Sequence, residues 1–554
     1  MASARPRRFR FGRSAIEVEP GATLLAGLAR RRWPSLARSV RYHRPRGPFC
    51  GVGHCTGCLV RVNGVPNVRA CRHEAQDGDL VRTENSWPGP RFDLLGSLDV
   101  LLPHGVDTVH GLRRPAWAAP LYQWVGRRLA GFGHVPDRTV SPRPPPPRAL
   151  DADVVVVGAG RSGRLVAEGL VRSGVRPVVL DRRAPGRTGD GPSDPIAGAE
   201  WIGGTTVTIL NRSPEIPGAS FTLLGVDRDG RGVAVRARAA VVATGGYDAA
   251  LVFEGSDRPG VVTADLALSE ARLPFAEAVV VGGGARAREV VGRLRGAVTA
   301  VVAFGAITPE LASTAAEHGV PLYPRSRVVR AVGHGRVRAL ELSRRDGGGR
   351  FRLPCREVVL AHRRLPNAQL AFQAGAERRW SDGPAAYYPA TDRAGRTNVP
   401  GLVVVGSAAG PAGAAGVRVE AAVSAVLERT AAAPEPPAGT TAPGDLLPYY
   451  RELLREPRHG KWVLCPCEDV LLEELENAVA RGYRGMELGM RYTGVGTGLC
   501  QGRYCLPEAI LLLAILEERP PPEVGFVTQR PPLEPTPLGT LATLREQLAP
   551  EAAP

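Results

Sequence analysis

Hydrophobic and polar residues alternate at the start of the chain and later give way to apolar runs broken by glycine. The alternation around Phe9, Phe11, Ile16 and Val18 predicts a β-hairpin, and a helical pattern follows it up to residue 28. Residues 151–183 have the pattern of a buried strand, a glycine-rich turn, a helix and a second strand, and residues 278–305 repeat this order. Such a succession is typical of the βαβ unit of a Rossmann-like fold.

Further elements are predicted in the second half of the chain. Residues 240–248 form a strand pattern that enters a glycine-rich turn, and residues 397–429 combine a strand, a glycine-rich loop and a helix. Another helix is predicted at about 469–481. The proline-rich segment 141–148 and the loose segment 431–444 are typical of linkers between domains.

The composition adds a strong positive charge without indicating a nucleic-acid site. The 554 residues include 71 basic and 54 acidic side chains, which gives a formal net charge of +17. Lys461 is the single lysine, and the other basic residues are arginines spread over the whole chain. Aromatic residues make up 5% of the chain, too few to interleave with a basic patch as a stacking surface. We therefore expect no nucleic-acid partner.

No stretch approaches the ~18 uninterrupted apolar residues of a membrane-spanning helix. The basic N-terminus has no apolar segment behind it, as a secretory signal would have. The sequence therefore predicts a cytoplasmic protein without a membrane span. In that compartment cysteines stay reduced and available to metals.

Eight of the nine cysteines form two compact quartets, and the first follows the predicted hairpin and helix. Its spacing is C-x4-C-x2-C, then twelve residues and a fourth cysteine, and its members are Cys50, Cys55, Cys58 and Cys71. This spacing is typical of plant-type [2Fe–2S] proteins, whereas zinc sites usually come as paired C-x2-C or Cys/His knuckles. Glycines between the cysteines allow backbone amides to point at the sulfurs. We expect a [2Fe–2S] cluster here, with zinc as the alternative.

The second quartet lies near the other end of the chain. It has the spacing C-x-C, thirty-two residues, then C-x4-C, and its members are Cys465, Cys467, Cys500 and Cys505. The C-x-C pair places two sulfurs too close for an easy zinc knuckle but suits two ligands near one iron. A second [2Fe–2S] cluster is therefore predicted, again with zinc as the alternative. Cys355 stands apart and is expected to be an ordinary part-buried thiol.

The first Rossmann-like segment carries a dinucleotide fingerprint. Gly158, Gly160 and Gly163 form the pattern G-x-G-x-x-G, and the strand after the helix ends at Asp181. The first glycine makes the turn, the second admits a pyrophosphate, and the third lets helix pack on strand. Asp181 is placed to accept a hydrogen bond from an adenosine ribose, although Arg182 and Arg183 leave a phosphorylated ribose open. We therefore expect an ADP-containing cofactor.

The second copy carries Gly282, Gly284 and Ala287, but its following strand at 297–305 ends without an acid. It is predicted to be a Rossmann-like fold, and whether it binds a nucleotide of its own stays open. Other candidate cofactor-binding residues follow predicted strands in glycine-rich turns, where a nearby helix N-terminus can receive a phosphate or a flavin chain. They are Thr244, Gly245 and Gly406.

The order of these parts resembles that of the large (α) subunits of bacterial amine and amino-acid dehydrogenases. It is a ferredoxin-like quartet, then two dinucleotide folds, then a C-terminal cysteine segment. That group includes hydrogen cyanide synthase, opine oxidase, proline and hydroxyproline dehydrogenase, and the α subunit of heterotetrameric sarcosine oxidase. The similar segments are residues 84–103, 121–136, 366–376, 393–410, 465–470 with 494–505, and 530–542.

The resemblance implies a multidomain α/β protein, and its expected parts run in chain order. The first is a β-grasp ferredoxin-like [2Fe–2S] domain at 1–90, followed by a connecting segment with a proline-rich linker at 91–148. An FAD/NAD(P)-type core is expected at 149–430, with its second Rossmann-like half at about 275–390. A small helical [2Fe–2S] domain similar to bacterioferritin-associated ferredoxin is expected at 445–520, and a tail at 521–554.

The resemblance also implies FAD in the first site. Related FAD enzymes usually carry an acid after the late-loop glycine to hold the ribityl chain, and here that residue is Ser407. NAD or another adenine nucleotide therefore stays open. No aminomethyltransferase-like extension follows residue 554 in this sequence, so a folate-linked sarcosine oxidase is not expected.

A flavin accepts two electrons and a [2Fe–2S] cluster carries one, so this order of sites predicts electron transfer from a two-electron oxidation to a one-electron acceptor. The resemblance implies an oxidoreductase, the electron-transfer subunit of an amine or amino-acid dehydrogenase, working with a flavin amine-oxidase-like β subunit. The alternatives are a self-contained NAD(P)H–ferredoxin-type reductase and a non-enzymatic metal or redox scaffold. No motif identifies a catalytic residue.

Overall fold

The computed structural model describes residues 5–29, 35–86, 89, 93–102, 117, 120, 144–183, 194–213, 218–269, 273–345, 347–410, 418–432 and 446–548. Most of the predicted connecting segment at 91–148 and of the linker at 431–444 lies outside these residues, as does the similar segment at 121–136. The chain divides into two compact units. Unit 1 comprises Met1–Thr139, Asp248–Arg363 and Pro443–Val527, and unit 2 comprises Val140–Tyr247, Arg364–Ala442 and Thr528–Pro554.

The strands of the described residues are numbered in chain order. The first group is β1 Arg7–Phe11, β2 Ser14–Val18, β3 Ala37–Arg38, β4 Pro45–Arg46, β5 Leu59–Val62, β6 Val65–Arg69 and β7 Leu80–Thr83. The next is β8 Arg148–Val157, β9 Val178–Asp181, β10 Glu200–Gly203, β11 Thr206–Arg212, β12 Phe221–Val226, β13 Gly232–Val242 and β14 Gly246–Asp248. The rest are β15 Val261–Thr263, β16 Ala278–Val281, β17 Val298–Val302, β18 Leu322–Tyr323, β19 Ser326–Val332, β20 Ala339–Arg344, β21 Arg350–Pro354, β22 Glu357–Leu360, β23 Arg364–Pro366, β24 Arg378–Ser381, β25 Ala386–Pro389, β26 Leu402–Val404, β27 Val463–Cys465 and β28 Val470–Leu471.

The α-helices are numbered in the same way. Those before residue 400 are α1 Leu24–Leu28, α2 Ser97–Leu101, α3 Arg161–Arg172, α4 Ala264–Ala267, α5 Ala285–Arg293, α6 Pro309–Glu317 and α7 Gln369–Gln373. Those after it are α8 Val419–Glu428, α9 Leu446–Leu453, α10 Leu472–Ala480, α11 Met486–Thr493, α12 Leu506–Leu516, α13 Pro521–Val524 and α14 Leu538–Leu548. None of these helices combines the length and hydropathy that crossing a membrane requires.

Unit 1 begins with the predicted hairpin and helix. β1 and β2 pair antiparallel with Phe9 opposite Ile16, and β1 continues as a parallel pair with β7. The sheet order is β2-β1-β7-β5-β6, and α1 packs on it through Leu24 and Leu28, both fully buried. A mixed five-stranded sheet with one helix across it is the β-grasp arrangement expected for the ferredoxin-like domain.

The second Rossmann-like half, residues 261–360, also belongs to unit 1. Its parallel sheet has the order β15-β22-β16-β17-β18, with α5 and α6 as crossover helices. Its core is continuous with that of the β-grasp sheet, because Phe9 and Leu28 belong to the same buried cluster as Leu266, Val280 and Val290. Apolar packing therefore fixes these two parts of unit 1 against each other.

The C-terminal part of unit 1 is mostly helical, with one short hairpin formed by β27 and β28. Its central helix, α12, is apolar on all sides apart from the buried Glu508 in its first turn, and every side chain from Ala509 to Leu513 is fully buried. A helix without a polar face must be surrounded by protein. The helices α10, α11 and α13 contact it and supply that cover.

Unit 2 is built on a sheet with the order β10-β9-β8-β13-β12-β11, and β26 pairs with β13 as a further parallel neighbour. The predicted apolar strand at Val154–Val157 is fully inside β8, and α3 crosses from β8 to the parallel strand β9. Val157, Val242 and Val404 lie at the carboxyl ends of β8, β13 and β26 and are in register. Three loops therefore leave the sheet at one edge.

Buried arginines join the three parts of unit 1. Arg44 donates to both carboxylate oxygens of Asp257, from Nε at 2.7 Å and from Nη2 at 2.9 Å, and from Nη1 to Asp99 at 2.9 Å. Arg46 donates to the same Asp257 and to Asp469. The side chains of Asp257 and Asp469 are 1% and 0% exposed. Burial opposes ionisation of Asp257, but the two guanidinium groups outweigh it and hold its pKa well below the ordinary value.

Asp469 and Lys461 extend this junction from the C-terminal side. The Asp469 carboxylate accepts the backbone N–H of Arg41 at 2.8 Å and that of Tyr42 at 3.2 Å. The Lys461 ammonium donates to the Asp99 carboxylate at 2.9 Å and lies 5.0 Å from the centre of the Tyr42 ring. The junction therefore links segments that are more than 400 residues apart in the sequence.

We expect Asp257→Asn to lower the free energy of unfolding by about 3 kcal/mol. The substitution leaves two buried guanidinium groups without their shared carboxylate, and removing one partner of a buried pair costs about 3–5 kcal/mol. The lower end applies because Asp99 and Asp469 still pair with the arginines. Denaturant unfolding followed by tryptophan fluorescence measures the change.

The control is Asp151→Asn, which removes an equally well-formed ion pair from the surface. The Asp151 side chain is 72% exposed beside Arg236, and exposed pairs contribute less than about 1 kcal/mol. Equal shifts for the two variants would contradict the role given to the buried network.

Candidate functional site

The first cysteine quartet lies in the loop between β4 and β5 and just after β6. Cys50, Cys55, Cys58 and Cys71 are all buried, with exposures of 0%, 5%, 2% and 8%. The backbone N–H of Cys55 donates to the Cys50 sulfur, and that of Gly57 to the Cys55 sulfur, both at 3.4 Å. The expected amide contacts to the sulfurs are therefore present. The loop is tight, since a Cβ on Gly57 would lie 2.3 Å from the Gly47 carbonyl oxygen.

The sulfurs of this quartet contact one another. Burial raises the pKa of the Cys50 thiol, but hydrogen bonds from Cys55 and Cys71 outweigh it and hold that pKa well below its ordinary value. A hydrogen bond from Cys71 likewise lowers the pKa of Cys58. The fold thus brings all four predicted ligands together without a disulfide, since all nine cysteines are free.

The second quartet is formed by β27, the turn after it and the loop that enters α12. Cys465, Cys467, Cys500 and Cys505 are 1%, 6%, 2% and 1% exposed. Hydrogen bonds from Cys467 and Cys505 lower the pKa of Cys465 well below the ordinary thiol value, and the same two partners lower that of Cys500. The four sulfurs therefore form a closed ring of contacts. Cys355 is 1% exposed, and burial raises its pKa to about 12.

The two quartets lie side by side in unit 1, which their distance in the sequence does not suggest. The Thr56 hydroxyl, in the first quartet's loop, donates to the Cys467 sulfur at 3.4 Å. Phe49 and Tyr504, each preceding a quartet cysteine, contact edge to face with ring centroids 5.2 Å apart. Arg69 donates to the Leu499 carbonyl at 3.1 Å.

A cavity of about 50 Å³ lies at this contact. Its lining includes cysteines of both quartets and apolar residues near them, among them Cys55, Cys467, Cys500, Cys505, Phe49 and Val463. No group of three or more His, Cys, Asp and Glu side chains among the described residues is arranged as the ligands of one metal ion. Each quartet offers four cysteine sulfurs as ligands, with backbone amides that can donate hydrogen bonds to them. This set of groups fits the ligation of an iron–sulfur cluster.

The nucleotide fingerprint lies at the carboxyl edge of the unit 2 sheet. Gly158 has a φ of +98° and follows β8, and a Cβ on it would lie 2.4 Å from the Ala243 carbonyl oxygen. A Cβ on Gly163 would lie 1.9 Å from the Gly158 carbonyl oxygen, so these two positions need glycine for packing. Gly160 differs, since a Cβ there has no heavy atom within 4 Å. That free space precedes the N-terminus of α3, where a pyrophosphate binds in such folds.

Asp181 ends β9 beside this loop. Its carboxylate accepts the backbone N–H of Ala159 and that of Arg183, each at 2.7 Å, and the Arg183 Nε at 3.2 Å. Burial opposes ionisation of Asp181, but Arg183 and the two amides outweigh it and hold its pKa below the ordinary value. The side chain is therefore an ionised acceptor next to the glycine loop.

The other candidate residues of unit 2 come to the same edge. Gly245 has a φ of +75°, and its carbonyl accepts the backbone N–H of Asn367 at 3.0 Å, while Thr244 donates its hydroxyl to the Asn367 carbonyl. A Cβ on Gly406 would lie 2.5 Å from the Ser162 hydroxyl oxygen at the start of α3. The fold therefore brings together the glycine fingerprint, residues 244–245 and Gly406. Residues 411–417 of the late loop lie outside the described residues.

The second Rossmann-like half has the same backbone arrangement in unit 1. A Cβ on Gly282 would lie 2.5 Å from the Ala361 carbonyl oxygen, Gly284 has no heavy atom within 4 Å of such a Cβ, and Ala287 is fully buried. Arg286 on α5 donates to Asp248 at 3.0 Å and to Asp265 at 2.8 Å.

Sequence reasoning missed the residues that hold the two quartets together. Asp469 stands two positions after Cys467, yet its partners are Arg41, Tyr42 and Arg46 in the N-terminal domain. Thr56 lies inside the C-x2-C segment, and a hydroxyl next to a ligand cysteine was the one signal available for it.

Comparison with known families covers most of the chain. Residues 5–86 match the family described as "2Fe-2S iron-sulfur cluster binding domain". Residues 152–428, half of the chain, match "Pyridine nucleotide-disulphide oxidoreductase". Residues 459–545 match "Sarcosine oxidase A3 domain".

Individual proteins agree with these matches. The chain is 28% identical to the alpha subunit of sarcosine oxidase from Rhizobium meliloti (strain 1021) over 97% of its own length and 57% of that protein's. It is 28% identical to an opine oxidase subunit from Agrobacterium tumefaciens (strain Ach5) over 71% of its own length and 92% of that protein's. The chain thus spans little more than half of the first relative.

Among solved structures, L-proline dehydrogenase from P. horikoshii has the same fold. It superposes with a TM-score of 0.63 over 97% of this chain and 98% of that one, at 18% sequence identity. The predicted multidomain α/β architecture and the resemblance to the amine and amino-acid dehydrogenase group are confirmed. The chain belongs to the pyridine nucleotide-disulphide oxidoreductase family, in a form whose core is combined with a [2Fe–2S] domain and a sarcosine oxidase A3 domain.

Proposed function

We propose that this chain is the electron-transfer subunit of a flavin and iron–sulfur dehydrogenase that oxidises the C–N bond of a small amine or amino acid. A flavin takes up two electrons from such an oxidation and releases them singly, and a [2Fe–2S] cluster carries one at a time. In this proposal the chain holds a nucleotide cofactor and two such clusters, and it passes electrons to a one-electron acceptor.

The observation that carries the proposal is the contact between two buried cysteine quartets. The Thr56 hydroxyl, next to Cys55 of the first quartet, lies 3.4 Å from the sulfur of Cys467 in the second quartet. A single hydrogen bond therefore connects the loop of one quartet to a cysteine of the other. Two one-electron centres this close support serial electron transfer better than two independent structural metal sites. The free, buried state of all nine cysteines also supports the cytoplasmic location predicted from the sequence.

The residues of unit 2 fit the ADP part of a cofactor. The open space at Gly160 precedes the α3 N-terminus, and the ionised Asp181 lies beside it as an acceptor for a ribose hydroxyl. Thr244, Gly245 and Gly406 line the same sheet edge. FAD is the proposed occupant, because the resemblance to the amine and amino-acid dehydrogenase group implies it; NAD is the alternative.

Another polypeptide is proposed for the substrate reaction. Both relatives are named as subunits of an oxidase, and the chain spans 57% of the first. Within the part of the chain that the structure describes, neither cysteine quartet nor the nucleotide edge presents a side chain that the geometry identifies as a base for C–N oxidation. We therefore assign the amine or amino acid to a flavin amine-oxidase-like β subunit.

The second candidate is a self-contained NAD(P)H–ferredoxin-type reductase. The free space at Gly284, before α5, favours it because a pyrophosphate would have room there. Two observations weigh against it: β17 ends without an acid for a ribose, and Arg286 is already paired with Asp248 and Asp265.

The metal content tests the proposal first. Anaerobically purified protein should contain about four iron and four acid-labile sulfide per chain, as two [2Fe–2S] clusters require. Cys58→Ser and Cys500→Ser should each remove roughly half, because each opens one quartet. Iron and sulfide analysis measures this, and Cys355→Ser is the matched control that should leave both values unchanged. Stoichiometric zinc with little iron would overturn the electron-transfer function.

Gly160→Val should empty the nucleotide site while leaving the fold intact. The protein has room for the new side chain, so the branched Cβ would conflict with a bound pyrophosphate alone. Mass spectrometry of the supernatant after denaturation should find FAD, or NAD, in wild type and none in the variant. Gly292→Ala, at another open glycine on α5, should keep the nucleotide. A folded, iron-loaded wild type that releases no nucleotide contradicts the proposal.

The division of labour is tested with the partner. The isolated chain should be nearly inactive with proline, hydroxyproline, sarcosine, opines and glycine. Co-expressed with an amine-oxidase-like protein encoded by a neighbouring gene, the chain should copurify with that protein. The complex should then reduce a one-electron dye when one of these five kinds of substrate is present. Cys55→Ser should then slow dye reduction while flavin reduction by substrate continues, because the cluster lies after the hydride step. Rapid substrate oxidation by the lone chain, or rapid reduction of its clusters by NADH, would refute this assignment.

A further inference from the structure

Thr56 has a contact that neither a ligand role nor a packing role explains. It follows the ligand Cys55 directly, is part-buried, and donates its hydroxyl across the domain boundary to the Cys467 sulfur at 3.4 Å. Cys467 belongs to the other quartet and is 6% exposed. Threonine hydroxyls in loops usually bond to nearby backbone groups instead. Thr497, in the second quartet's own loop, does so by donating to the Gly494 carbonyl at 2.7 Å.

We propose that Thr56 tunes the C-terminal [2Fe–2S] cluster from outside its own domain, raising its reduction potential and providing the hydrogen-bonded path between the two clusters. This inference rests on the proposed function, since it requires both quartets to hold clusters. It makes Thr56 a positioning residue that acts through Cys467.

The direction of the effect follows from electrostatics. A reduced cluster carries one more negative charge than an oxidised one, and its ligand sulfurs share that charge. A hydrogen-bond donor aimed at such a sulfur therefore stabilises the reduced state more than the oxidised state, which raises the potential. The effect is strengthened by burial, because a low local dielectric increases the interaction.

The path follows from connectivity. Cys55 and Thr56 are adjacent in the chain, so one peptide unit and one hydrogen bond connect a ligand sulfur of the first quartet to one of the second. With clusters held by both quartets, the transfer would move a single electron, and the electron lost by one cluster would be the one gained by the other. No bond to Thr56 forms or breaks, and no proton needs to leave.

The surroundings hold Thr56 in this position independently of the hydrogen bond. The Phe49–Tyr504 ring contact joins the same two loops, and Arg69 at the end of β6 donates to Leu499 in the second quartet's loop. The buried junction of Arg46 and Asp469 joins the same domains. Removing the hydroxyl alone should therefore change the potential and leave the docking in place.

Three variants separate the hydroxyl from its surroundings. Thr56→Val replaces the hydroxyl by a methyl group of similar size, Thr56→Ser keeps a hydroxyl, and Thr497→Val removes a hydroxyl that bonds to a carbonyl instead of a sulfur. The full-length proteins are purified anaerobically, and their iron content and EPR-monitored redox titrations are compared. Cys58→Ser and Cys500→Ser identify which EPR signal belongs to which quartet.

In Thr56→Val the potential of the C-terminal cluster should become more negative relative to that of the N-terminal cluster. The one-electron equilibrium between them should change by up to about tenfold, which corresponds to up to about 59 mV. Thr56→Ser and Thr497→Val should titrate like wild type. The magnetic interaction between the two reduced clusters should persist in all three, because the quartets stay in contact.

A Thr56→Val protein with a full complement of iron and wild-type potentials would overturn the inference and leave the proposed function intact. Wild-type protein with a single cluster, or with zinc, would instead overturn the proposed function itself. If the valine variant loses iron, Thr56→Ala removes the hydroxyl without placing a methyl group against the sulfur. Unchanged potentials in that variant would equally refute the role of Thr56.

Discussion

The arrangement of unit 1 depends on the burial of oppositely charged groups that neutralise one another. Arg44 and Arg46 come from the β-grasp domain, Asp257 from the segment that leads into the Rossmann-like half and Asp469 from the C-terminal domain. An unpaired charge at any of these positions would lose several kcal/mol of solvation without compensation. Few relative placements of the three parts satisfy all four groups, so the network selects one placement. Apolar packing then supplies most of the stability.

That placement is what brings the two quartets together. Asp469 is separated from Cys467 by one residue, and Arg46 is separated from Cys50 by three, so the ion pair between them lies at the base of both cysteine loops. Docking of the domains and juxtaposition of the sulfurs are therefore one event. A substitution that loosens the ion pair would change how the two quartets lie relative to each other before it changed either quartet.

The sequence predicts well those features whose signals are local. Cysteine spacing identifies both quartets, and Gly158, Gly160 and Gly163 with Asp181 identify the nucleotide edge, because each pattern is complete within a short segment. The predicted strands and helices around these motifs are present for the same reason.

Contacts between distant segments have no such signal. The hydrogen bond from Thr56 to Cys467 joins residues 411 positions apart, and that from Arg46 to Asp469 joins residues 423 apart. Nor does a linear reading indicate that residues 248–363, which continue the dinucleotide core along the chain, pack with the cysteine domains. These features depend on tertiary packing, which periodicity and motif spacing do not encode.

The assembly of unit 1 from three separated stretches has a consequence for biosynthesis. The first quartet is translated more than 400 residues before the residues that cover its loop, which include Tyr504 and Leu499. Until then the C-terminal partners of Arg41, Arg46 and Thr56 are missing. Such long-range closure is slow. The nascent chain therefore passes through a long interval in which its first cysteine loop is made but not yet enclosed by the C-terminal part of unit 1.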